Sequence, residues 1–87
     1  MINIFETNHF IKSLRKLSDK HVTVVDAEIE KISINPAIGV KKNGDLYYLW
    51  VHKFRLENIE VLLGYQWLEQ SVEVRLLHLS ALEEKKN

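Results

Sequence analysis

Apolar positions along the chain repeat first at helical and then at strand spacing. Ile2-Asn3-Ile4-Phe5 alternates as a short strand does. Phe10, Leu14 and Leu17 then fall at i, i+4 and i+7, one stripe of a helix that Thr7 or Asn8 can cap. Lys12, Arg15 and Lys16 occupy its remaining surface. Ser18 and Asp19 interrupt the pattern, and Asp19 is the expected cap of a second helix. In that helix Val22, Val25, Ile29 and Ile32 recur at spacings of three, four and three. Two short amphipathic helices joined by a few residues predict an antiparallel hairpin. Asn35-Pro36 ends the second helix, because proline disfavours a helical residue before it and carries no donor. Gly39 and Asn43-Gly44-Asp45 punctuate the connection that follows.

Beyond that connection the period drops to about two. Leu46 to Phe54, rich in Tyr, Trp and Val, reads as a strand. Arg55-Leu56-Glu57-Asn58 reads as a turn, Ile59 to Trp67 as a second strand, Glu69-Gln70-Ser71 as another turn, and Val72 to Leu79 as a third strand. Glu83 to Asn87 is charged and expected to fray. Short turns make the last three strands an antiparallel meander. The expected fold is α+β: an N-terminal short strand and a two-helix hairpin, packed on a mostly antiparallel four-stranded sheet. The helices cover one sheet face, since each must bury its apolar stripe. The predicted core is Phe10, Leu14, Val25, Ile29, Trp50, Phe54, Val61, Leu63 and Leu76.

Alternate side chains of a strand share a face. Leu46, Tyr48, Trp50, His52 and Phe54 form the bulkier, more apolar set and are assigned to the helices. His52 is then a core or edge histidine with a polar partner. Lys53 and Arg55 fall with Tyr47, Leu49 and Val51 on the opposite, open face. There they are either ordinary solvated cations or an electrostatic clamp for charge developing on a phosphoryl group. Lys41 and Lys42, just upstream, can solubilise a loop or hold further backbone phosphate.

The chain has 87 residues, which allows one domain over 1–87 and one core. Its 12 Lys+Arg balance 12 Asp+Glu, so bulk, sequence-independent nucleic-acid binding is not expected. The distribution is uneven: within 41–55 stand Lys41, Lys42, Lys53 and Arg55 against Asp45 alone, and such a patch can bind an anion on a neutral protein. The absence of cysteine excludes disulfides and thiolate metal sites. His9, His21, His52 and His78 have no metal-ligand spacing, so neither metal nor cofactor is expected. There is no apolar run of membrane-spanning length and no secretory leader, and the expected location is the cytoplasm.

Several motifs, in order, resemble those of the RelE/ParE superfamily of toxins from type II toxin–antitoxin modules. Phe10-Ile11-Lys12-Ser13-Leu14-Arg15-Lys16-Leu17 is similar to the family's F-x-K-x-L-K-K-L helix, and Asn35-Pro36-Ala37-Ile38-Gly39 to its N-P-x-x-G exit. Gly44-Asp45-Leu46 with Val51-His52-Lys53-Phe54-Arg55 resembles the G-D-L … K-x-K-x-R strand. Leu62-Leu63-Gly64-Tyr65 resembles L-L-x-Y, and Leu76-Leu77-His78-Leu79-Ser80 resembles L-L-x-L-G.

The resemblance implies a toxin that cleaves mRNA on the ribosome, with Lys53 and Arg55 catalytic and Lys41 and Lys42 binding RNA. It also implies a cognate antitoxin with which the chain forms a hetero-oligomer. Three positions depart from the ribosome-dependent pattern: Val51 replaces a lysine, Glu60 stands where an arginine is common, and Leu82 occupies the region of a usual His or Arg. No Tyr or Phe follows Glu83. These departures leave two other implications open, a toxin that blocks DNA gyrase by protein contact and a non-toxic remnant that only binds an antitoxin.

Overall fold

The computed structural model describes residues 2–42 and 49–82. Strand β1 (Asn3–Glu6) leads into helix α1 (Asn8–Arg15), and a short turn leads into helix α2 (Asp19–Ile34). A 3-10 turn (Pro36–Ile38) precedes the two-residue strand β2 (Val40–Lys41). Strands β3 (Leu49–Leu56), β4 (Ile59–Leu68) and β5 (Glu73–Leu82) follow, with a second 3-10 turn (Glu69–Ser71) between the last two. The sheet order is β1-β5-β4-β3-β2, with β1 parallel to β5 and the other pairs antiparallel.

The α+β class and helix-on-sheet arrangement agree with the sequence reading, but the sheet has five strands rather than four. The extra one, β2, is too short for a period to show in the sequence. Its two residues pair with Val51 and Trp50, and the Lys42 N–H extends the pairing to the Leu49 carbonyl at 2.8 Å. Strand β3 also runs to Leu56, so the turn contracts to Glu57-Asn58. Glu57 takes a left-handed φ of 57° there, and the Lys20 ammonium holds its carboxylate at 2.6 Å. The last strand runs to Leu82 instead of ending at Leu79. The expected strand residues Leu46–Tyr48, the Asn43-Gly44-Asp45 punctuation, the Gly44-Asp45-Leu46 motif and the Glu83–Asn87 tail lie outside the described residues.

Hydroxyl caps start both helices. Thr7 Oγ1 accepts the Phe10 N–H at 3.2 Å and donates to the Leu76 carbonyl at 2.8 Å, so one side chain both starts α1 and ties it to β5. Ser18, not Asp19, caps α2, accepting the His21 N–H at 3.3 Å. Pro36 then stops α2, with the Asn35 side chain taking the Ala37 N–H at 3.3 Å.

The core lies between the helices and one sheet face. Phe10, Val25, Ile32, Leu63, Tyr65, Val74 and Leu76 are fully buried, with Phe54, Leu56 and Val61 nearly so. Leu14, Ile29 and Trp50, expected in this core, pack against it partly buried. Burying a side chain of this size contributes roughly 1.5–3 kcal/mol. The face assignment of β3 holds: His52, Phe54 and Leu56 are buried, while Lys53 and Arg55 are exposed. His52 has the expected partner, its Nε2 lying 2.7 Å from Glu28 Oε1, and Glu28 is also paired with Lys31 Nζ at 2.9 Å. Burial opposes ionisation of Glu28, but the hydrogen bonds from His52 and Lys31 outweigh it and hold the carboxyl below its usual range.

Candidate functional site on the open sheet face

The sheet register determines which side chains meet on the face away from the helices. Lys53 pairs with Leu62 and Leu62 with Ser80; Arg55 pairs with Glu60; Val40 pairs with Val51, Val51 with Gly64 and Gly64 with His78. Lys53 and Arg55 therefore stand two residues apart on one side of β3, both exposed. Ile38, Val40, Lys42, Val51, Lys53 and Leu62 line an open cleft of about 570 Å³ beside them. Lys42 thus joins Lys53 in one cleft. Lys41 does not, because its register with Trp50 turns it to the other side, into a separate cavity of about 430 Å³ with Trp50 and Trp67.

Two hydrogen bonds from the buried Tyr65 fasten the cleft's outer wall. Its hydroxyl donates to the Pro36 carbonyl at 2.6 Å and accepts the Gly39 N–H at 3.1 Å. Burial pushes the phenol above its usual pKa, with the Gly39 N–H opposing weakly, so it stays a donor at neutral pH. A Cβ on Gly39 would meet Tyr65 Oη and the Val51 carbonyl oxygen, each at 2.7 Å, so only glycine permits this close approach. The asparagine, proline and glycine of Asn35–Gly39 thus act together to bring β2 and Lys42 against β3.

The site is not purely basic. Glu60 Oε1 lies 3.9 Å from Lys53 Nζ, and the Arg55 guanidinium donates to the Asn58 carbonyl at 3.3 Å. At this exposure the Lys53–Glu60 attraction amounts to no more than about 1 kcal/mol, which a phosphate can displace.

One group on this face is not evident from strand alternation alone. Strand β5 carries a bulge: Tyr65 pairs with Leu76 but Gly64 with His78, leaving Leu77 as an extra residue. Regular alternation from the buried Leu76 would place His78 in the core. The bulge places it on the open face instead, its ring lying over Gly64, with Cε1 3.0 Å from where a Cβ on that glycine would be. The His9 ring packs edge-on against it, 6.1 Å between centroids. The signal in the sequence is the odd spacing of Leu76, in the core, and Leu79, partly buried and packed against it.

The family model for the ParE-like toxin of type II bacterial toxin–antitoxin systems matches residues 4–85. The chain belongs to that family, within the RelE/ParE superfamily. Solved structures agree on the fold. A chain of the intact RelBE toxin–antitoxin complex of E. coli superposes with a TM-score of 0.76 at 18% identity, over 97% of this chain and 100% of that one. The isolated E. coli RelE toxin gives 0.78 at 17% identity, over 99% and 89%. A chain of the RelBE2 toxin–antitoxin complex of Mycobacterium tuberculosis gives 0.77 at 17%, over 91% and 95%. No curated protein matches the sequence.

Proposed function

We propose that this toxin inhibits translation by cleaving mRNA on the ribosome. The observation that carries this reading is the gathering of Lys42, Lys53 and Arg55 on the open face, with Lys42 and Lys53 lining one cleft. A phosphodiester seated there meets Lys53 where charge develops on its oxygens and Arg55 beside its backbone. The reaction is attack of a 2′-hydroxyl on the adjacent phosphorus, releasing the 5′-oxygen and leaving a cyclic phosphate. The ribosome holds the mRNA in place, so three fixed cations need supply only part of the catalysis.

The cognate antitoxin is the second partner in this proposal. A groove of about 270 Å³, lined by Leu17, Leu56, Ile59, Val61, Leu79 and Ala81 beside the α1–α2 turn, offers an apolar seat for a segment that folds on binding. Both E. coli RelE and the M. tuberculosis relative were solved in complexes with antitoxins.

Single-turnover cleavage on programmed ribosomes tests the catalytic assignment. Lys53→Ala should lose about 10²–10³ in rate, with stability changed by about 0.5 kcal/mol or less. Lys12→Ala, on the helix layer, should cleave like wild type. Wild-type cleavage by a folded Lys53→Ala protein would refute the assignment. Glu60, whose carboxylate stands where a phosphate would approach Lys53, favours a second reading in which the open face contacts DNA gyrase and performs no chemistry. A DNA-damage response with translation still running would establish that reading instead.

A further inference from the structure

We infer that the cavity walled by Trp50 and Trp67 holds an unpaired nucleobase of the RNA strand whose backbone lies in the open-face cleft. The inference rests on the RNA reading above and deepens it, giving that strand a second seat on the other side of the sheet. Trp50 pairs across the ladder with Tyr65, and Trp67 follows Tyr65 by two residues, so both indoles stand on the helix-facing side. The helices do not cover them. Helix α2 ends at Ile34, and Pro36, just past that end, is the residue that meets the Tyr65 hydroxyl. Beyond it the indoles, Lys41 and the turn Glu69–Ser71 enclose a cavity of about 430 Å³, and no described residue of either helix lines it. Both indoles are half-buried, so they wall this space rather than fill the core.

The chemistry of the walls suits a base with its phosphate. The Trp50 ring is stacked on Tyr65, with 6.4 Å between centroids and 20° between planes, so its orientation is fixed before anything binds. Indole faces bind nucleobases of any sequence, because every base has a π-face. The volume falls within the roughly 300–1,000 Å³ of small-ligand sites. Lys41, exposed beside Trp50 at the sheet edge, offers a point charge to the phosphate. At the other end the Glu69 carboxylate is an acceptor and the Gln70 amide both donor and acceptor for the base edge. Glu69 also repels phosphate, so the base and not the backbone turns toward that end.

The cavity is continuous with the cation cluster through β2. This strand is the sheet edge, and its neighbouring Lys41 and the following Lys42 point to opposite faces. Lys42 lines the cleft with Lys53, and Lys41 lines the indole cavity. A single strand leaving the cleft past Lys42 therefore meets Lys41 after crossing one two-residue strand, and its next base enters between the indoles.

Titration of the intact protein with a single-stranded RNA hexamer, followed by tryptophan emission, tests this, because Trp50 and Trp67 are the only two tryptophans of the chain. The hexamer should quench emission. A hexamer of the same sugar–phosphate backbone without bases should leave emission unchanged. Affinities come from polarisation of a labelled hexamer at low salt, with melting measured in parallel. Trp67→Leu should weaken binding by about 5–100-fold, the scale of one lost stacking partner. Lys41→Gln, at an exposed position, should lower the salt slope by about 0.7, one phosphate of a single strand. If Trp67→Leu fails to fold, Lys41→Gln and the base-free hexamer decide. Lys12→Ala should bind like wild type. Unquenched emission, or equal quenching by the base-free hexamer, would overturn the inference and leave the cleavage reading to the Lys53→Ala test. Emission that changes on dilution of the protein alone and ignores RNA would assign the cavity to a second copy of the chain, and would also overturn it. Quenching that persists while a folded Lys53→Ala protein cleaves like wild type would refute the catalytic assignment and leave the nucleobase seat standing.

Discussion

Replacing Tyr65 with Phe removes one oxygen atom from the core and should weaken both the fold and the cleft on the far side of the sheet. The hydroxyl makes two hydrogen bonds, to the Pro36 carbonyl at 2.6 Å and from the Gly39 N–H at 3.1 Å. Tyr65 and Pro36 are buried, so water does not readily replace the lost partner. Two bonds at about 0.5–1.5 kcal/mol each, plus the desolvation left at one buried carbonyl, give a loss of about 2–3 kcal/mol. In a domain of this size that lowers Tm by roughly 10–20 °C. Calorimetric or circular-dichroism melting measures it.

Gly39→Ala probes the same joint from the other side, because its methyl meets both Tyr65 Oη and the Val51 carbonyl. Tyr65→Phe relieves only the first of these clashes. The double variant should therefore lose less than the sum of the single losses, by about 1 kcal/mol, while remaining less stable than Tyr65→Phe alone. A Tm change below about 3 °C for Tyr65→Phe, or strict additivity in the double variant, would refute the view that this hydroxyl holds the β2 wall.

Glu28→Gln should be less stable than wild type at pH 7 by about 1–2 kcal/mol, the scale of hydrogen bonds to a charged group. Because the folded carboxyl titrates below its unfolded value, its stabilisation is present above the unfolded pKa and is lost as pH falls through the folded one. Urea melts of the two proteins should therefore draw together as pH falls through the acid range, and a gap that widens on acidification would contradict the pairing. Glu60→Gln removes the carboxylate 3.9 Å from Lys53 Nζ and should tighten binding of a short single-stranded RNA by up to about fivefold at low salt. Fluorescence polarisation should show that gain shrinking at high salt; unchanged or weaker binding would argue against phosphate at this position.

Much of the architecture is legible in the chain because burial enforces it. The stripe Phe10–Leu14–Leu17 and the alternation around Trp50, His52 and Phe54 are strong signals, since shifting either by one residue would expose the core. The open-face positions of Lys53 and Arg55 follow from that alternation. What the pattern hides is set by contacts distant in sequence. Val40 and Lys41 form a strand only because Tyr65 and Gly39 pin them to β3, and two residues carry no period. Tyr65 itself belongs to the core although its hydroxyl serves a loop 26 residues earlier. The different directions of Lys41 and Lys42 follow from the β2 register, which neighbouring lysines in a sequence do not disclose. His78 is hidden because strict alternation through a bulge gives the wrong face; Leu76 in the core and Leu79 packed against it, three apart on one face, are the visible trace of it.

The extra residue in β5 also shapes how this gene can change. Losing the Leu77 codon would return Leu76 and His78 to neighbouring positions in a regular ladder, each on the side it now occupies. Losing one codon a few positions further on, at Leu79, would turn the end of the strand inside out. Length variation among descendants should therefore be tolerated at this point in the strand and purged on either side of it. Lineages that drop the bulge would keep the imidazole on the same face under a number one lower.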